Sequence, residues 1–138
     1  MVNNVNFSGM GNVSLLSGTS LKPVKCSRSL SDDHISIIVT QALHDAEAGT
    51  VHVSPFISNG ERRVRDALVE AGYPIILLVE NGLTSFSKPS GKLFDACANG
   101  KLLILAPWEH HTQKVCNLRE RFLALNELAV RISSTSAM

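Results

Sequence analysis

The chain has 138 residues, of which 44% are hydrophobic and only 5% aromatic, and a formal net charge of +1. That length suits one domain with a mainly aliphatic core. A charge this close to zero excludes a bulk electrostatic drive onto nucleic acid or membrane, so an anion site has to be a local cluster.

Residues Met1 to Ser20 are rich in Asn, Ser and Gly and read as a partly ordered leader, with Leu15 and Leu16 against the domain that spans residues 21–138. Leu21 to Cys26 is a short strand weakened by Pro23. Ser31, Asp32 or Asp33 can cap a helix whose apolar stripe is Ile35, Ile38, Val39, Ala42, Leu43 and Ala46. Gly49 stops it, as a glycine just past a helix end does. Thr50 to Ser54 is a second strand, and after a turn Val64, Ala67, Leu68 and Ala71 recur at helical spacing. Gly72 ends that helix.

Ile75 to Val79 is a continuous apolar run, as in a parallel strand covered on both faces. Gly91 to Ala98 is a short helix carrying Leu93, Ala96 and Cys97. Leu102 to Ala106 is another apolar strand. A polar loop, Trp108 to Gln113, leads to a last helix with Leu118, Phe122, Leu125, Ala129 and Ile132 on one face.

Alternating strands and helices predict an α/β, three-layer, Rossmann-like open sheet, mainly parallel, with right-handed crossovers. Counting the four expected strands along the chain, the predicted order is 3-2-1-4. Loops at the carboxyl ends of parallel strands share one side of such a sheet, and ligands bind there. These loops are Ser27–Arg28, Pro55–Gly60, Asn81–Ser90 and Pro107–Gln113.

Each candidate group in those loops has two readings. The turn Pro55 to Gly60 can cradle a phosphate at a helix N-terminus through Ser58 and Gly60. Ser58 and Glu61 also have capping-box spacing, which would satisfy the same amides internally. Arg62, Arg63 and Arg65 oppose the helix macrodipole, which fits either an anion site or a solvated face. Arg28, Lys88 and Lys92 make a backbone-phosphate groove if the fold brings them together. Asn126, on one flank with Arg119, either hydrogen-bonds a loop or meets a ligand. His110-His111 reads as surface loop, His52 as a strand histidine finding a neighbour, and Trp108 as a packing lid, with base stacking the minor reading.

No Walker, GxGxxG or GxSxG motif and no Ser/His/Asp set occurs, so no enzyme chemistry and no cofactor are expected. No clustered Cys/His spacing points to a metal. Three widely spaced cysteines, Cys26, Cys97 and Cys116, fit reduced thiols in a cytoplasmic protein. No apolar stretch approaches the roughly 18 residues of a membrane span, and the N-terminus does not read as a signal peptide.

Several blocks resemble the Rossmann-like core of the DNA-processing protein A family (DprA, or Smf) from about Phe7 to Ile132. Gly11-Asn12 with Leu15-Leu16 resembles the family's lead-in. VKCSR, Val24 to Arg28, resembles its first strand and Gly-Ser-Arg turn. VHVSPFISNGE, Val51 to Glu61, resembles the strand and Ser-Gly…Gly-Ile-Asp loop. Ile75 to Leu83 with Phe86-Ser87-Lys88 resembles the apolar strand, Gly-Leu turn and Tyr-Pro-Lys. Gly100 to Pro107 resembles the next strand, and Arg121 to Ala129 the Arg-Asn-Arg helix.

The resemblance implies single-stranded DNA binding in DNA uptake and processing, without catalysis. It puts Ser27 and Arg28 in the DNA-contacting turn, Lys88 on the loop lysine and Asn126 on the helix asparagine. The chain departs from the pattern at Pro55, where the family has glycine, and at Glu61-Arg62, where it has Ile-Asp. Leu125 and Glu127 replace the two arginines beside the asparagine. The closing strand and its Ser-Gly motif are not found, which marks a reduced or diverged member. A nucleotide or nucleotide-derived ligand at the same mouth is the alternative, as is an interaction domain with a vestigial site that forms homo-oligomers through an uncovered edge of the last strand.

Overall fold

The computed structural model describes residues 8–17, 20–27, 29–81, 83, 91–108 and 118–136. Among these residues, five strands and four α-helices form three layers. The elements are β1 (Ser8–Gly11), β2 (Leu21–Pro23), α1 (Asp32–Glu47), β3 (Val51–Ser54), α2 (Asn59–Glu70), β4 (Ile75–Leu78), α3 (Lys92–Ala98), β5 (Leu102–Ala106) and α4 (Leu118–Ser136). A short 3-10 turn, Val13–Ser17, follows β1.

The helix signals in the sequence operate as read. Ser31 caps α1, its side chain accepting the His34 amide. Ser58 and Glu61 form the capping box of α2. Gly49, just past α1, adopts φ +106°, a conformation open to glycine and costly for other residues. Ile35, Ala42 and Ala46 of α1 and Val64 and Leu68 of α2 are buried. Each large aliphatic side chain so buried contributes on the order of 1.5–3 kcal/mol.

The sheet order is β1-β5-β4-β3-β2. The pairs β2–β3, β3–β4 and β4–β5 are parallel, and β1–β5 is antiparallel. The sheet is therefore mixed, and the expected order 3-2-1-4 is replaced by 1-2-3-4 for the strands counted from Leu21.

The reason lies in α3. A return across the sheet would place α3 on the opposite face from α1 and α2. Instead Ala96 of α3 joins Ala42 of α1 and Leu68 of α2 in one core cluster. With all three helices on one face, right-handed crossovers step each strand one place onward. Among the described helices α4 covers the other face, through Leu125, Leu128 and Ala129 against Val51, Val53, Ile76 and Leu103.

The segment read as a leader supplies β1. Ser8 faces Ala106 and Gly11 faces Leu103 across the antiparallel ladder. The Asn12 side chain donates to Gly100 O at 2.9 Å, and Leu15 and Leu16 pack beneath α4. The expected uncovered edge of the last strand is thus filled by β1.

Candidate functional site

Parallel pairing from β2 to β5 places the carboxyl ends of those strands on one edge of the sheet. The N-termini of α1 and α2 open at this edge, as does the turn after β5.

Between β2 and α2 the polar groups are bound to one another. The Glu61 carboxylate is buried at 3% exposure. Its Oε2 accepts the Cys26 amide at 2.9 Å, and its Oε1 accepts the amides of Ile57 at 3.0 Å and Ser58 at 3.4 Å. These donors surround the place where a phosphate would sit in an open βα turn. Ser54, fully buried, donates to Val24 O at 2.8 Å and accepts the Phe56 amide at 3.0 Å. That contact holds the turn while Phe56, buried and not glycine, takes φ +50°. Burial and the Glu61 charge together push the Cys26 thiol above its ordinary pKa, which keeps it protonated.

Of the residues singled out in the sequence, Ser58 caps α2 here and Gly60 lies in its first turn. A Cβ on Gly60 would lie 3.0 Å from the Cys26 Cβ, next to Ser27. Ser27 is exposed and hydrogen-bonded to Ser29 at 2.8 Å, and Arg62 is exposed one turn into α2. Arg63 reaches Asp32 of α1 at 3.3 Å.

Lys92 is elsewhere. Its ammonium pairs with Glu70, at the end of α2 that leads into β4, away from the Ser58 cap. Asn126 lies on α4, in the layer on the other face of the sheet. Its Oδ1 is buried and has no hydrogen-bond partner among the described residues. Arg28, Lys88 and His110-His111 lie outside the described residues.

A second cluster at the carboxyl edge escaped the sequence reading. Arg121 of α4 donates to Glu80, just past β4, at 2.7 Å. The same guanidinium lies over the Trp108 ring, 4.9 Å from its centroid. Trp108 follows β5 and packs with Phe122 on the core beneath α4. The signal was present as a lone tryptophan at a strand end, but nothing in the spacing ties it to Arg121 or Glu80.

His52, on β3, is 2% exposed, and its Nδ1 has no hydrogen-bond partner among the described residues. Burial pushes its pKa down to about 4; Asp45 on α1 pulls the other way, and Lys22 on β2 adds to the depression. Asp45 is itself held ionised by Lys22 at 2.8 Å and Gln41 at 2.9 Å.

No protein-family model matches the chain, and no curated protein matches it in sequence. A solved structure of DNA processing protein A from Helicobacter pylori, described for its single-stranded DNA binding mode, does match in shape. The TM-score is 0.68 at 19% identity, over 92% of this chain and 56% of that one. The chain has the DNA processing protein A fold. It spans little more than half of that DprA chain. Among the described residues no helix is long and apolar enough to cross a membrane, and no group of three or more His, Cys, Asp or Glu is placed to hold a metal ion.

Proposed function

We propose that the protein binds single-stranded nucleic acid along the carboxyl edge of the sheet, as a non-catalytic domain in DNA processing. The observation that carries this reading is the shared fold over 92% of the chain with a protein whose structure was described for single-stranded DNA binding. The cations that serve it are Arg28 and Lys88, in the segments after β2 and β4, with Arg62 exposed at the start of α2. Lys92, held by Glu70, is left out of the groove.

Two features weigh against the other readings. Glu61 already occupies the amides of Ile57 and Ser58, which disfavours a mononucleotide phosphate at that turn. The pairing of β1 with β5 disfavours assembly through the outer edge of β5.

Fluorescence anisotropy with a labelled oligonucleotide tests the proposal. Binding should weaken linearly in log–log form as salt rises, because phosphate contacts release counterions. Arg28→Ala and Lys88→Ala should each weaken binding and flatten that slope. Absence of binding at low salt, or wild-type affinity in both variants, would end this reading.

A further inference from the structure

The cluster of Trp108, Arg121 and Glu80 belongs to neither the capped turn nor the expected phosphate groove. Three observations define it. Trp108 is partly exposed at the carboxyl end of β5, on the edge where the strand is proposed to run. The Arg121 guanidinium lies over its ring, with Cζ 4.9 Å from the centroid. Glu80 anchors that guanidinium at 2.7 Å, with side-chain exposures of 26% for Arg121 and 13% for Glu80.

Arg121 is thereby fixed in orientation and largely neutralised. A neutralised arginine beside a carboxylate is a poor phosphate anchor, because the carboxylate repels the phosphate. What the pair does present is flat, rigid surface. Nucleobases stack on aromatic rings and on guanidinium planes, and such stacking tolerates any base because every base has a π-face. The geometry points to a base-stacking ledge: Trp108, with Arg121 held against it by Glu80, receives a nucleobase of a single strand whose phosphates run along the same edge. This assignment rests on the function proposed above and adds to it where the bases go.

The chain has a single tryptophan, so its intrinsic fluorescence reports on the ledge alone. A single-stranded oligonucleotide should quench that fluorescence in step with the anisotropy change. An abasic oligonucleotide of equal length should bind more weakly and leave the fluorescence unchanged. Trp108→Leu keeps apolar packing and removes the aromatic plane. It should weaken binding about thirtyfold, the middle of the range for one lost base stack, with the salt slope unaltered, whereas Lys88→Ala flattens the slope. Trp108→Phe should retain most of the affinity.

Oligonucleotide binding without tryptophan quenching, or with full affinity in Trp108→Leu, would overturn the ledge and leave single-strand binding standing. Equal quenching by the abasic strand would overturn it too. No binding of either strand would remove both proposals together.

Discussion

The Glu61 carboxylate accepts the backbone amide of Cys26 at 2.9 Å, joining the start of α2 to the turn after β2 through a buried charge. Three amides depend on this one side chain. Removing it leaves them without an acceptor, two of them buried and that of Ile57 partly so, and each buried orphaned donor costs about 1–3 kcal/mol. Glu61→Ala should therefore destabilise the protein by at least about 2 kcal/mol. Glu61→Gln keeps one carbonyl acceptor and should cost less. Urea midpoints for the three proteins check this; equal midpoints for Glu61→Ala and wild type would show that the amides find water instead.

That interaction was half legible in the sequence. The Ser58–Glu61 spacing announced a capping box, but Cys26 lies 35 residues away and no local pattern links it. The same divide runs through the fold. The β5 run Leu102–Ala106 was readable to the residue because an uninterrupted aliphatic stretch has few other places to go. Strand order was not, since it depends on which sheet face the seven-residue α3 covers, and Leu93, Ala96 and Cys97 suit either face. The Arg121–Glu80 pair spans 41 residues and reads on its own as two ordinary surface charges.

Strand β1 was hidden for another reason. Its sequence, SGMG, lacks strand-forming side chains, and only the docked geometry explains it. Gly11 takes φ +110°, and a Cβ there would fall 2.1 Å from Leu102 O. Gly11→Ala should force β1 away from β5, whereas a Cβ at Gly49 meets nothing within 4 Å and is hindered only by its backbone angle. Amide exchange at Leu103 to Ala106 should accelerate in Gly11→Ala and stay slow in Gly49→Ala. Unchanged protection in the Gly11 variant would refute the docking.

Stability should fall in acid because of His52. In the folded protein its pKa is pushed down to about 4 from an ordinary 6.5, with Asp45 and Lys22 as the charged groups around it. Above pH 6.5 neither state binds the proton and the contribution is complete. Between pH 6.5 and 4 the unfolded chain takes up a proton that the folded one refuses, and stability declines. Below pH 4 the folded form is protonated too and the loss levels off at no more than about 3 kcal/mol. His52→Leu, which fills the site without a titrating group, should flatten this part of the urea-midpoint profile. A profile identical to wild type would assign the acid sensitivity to other groups.

The pairing of Arg121 with Glu80 should couple energetically more than an exposed ion pair does. Exposed pairs are worth about 0–1 kcal/mol, since solvent screens them and holding two long side chains opposes the attraction. Here the Glu80 side chain is 13% exposed, and the guanidinium is already held against Trp108, so little further freedom is lost on pairing. A double-mutant cycle with Glu80→Gln and Arg121→Met should return a coupling of about 1–2 kcal/mol. Arg121→Lys keeps the charge but loses the plane that lies on the indole. If stacking contributes, Arg121→Lys should lie nearer to Arg121→Met than to wild type in stability. If it matches wild type, the attraction is charge alone and the indole face has no planar partner to hold.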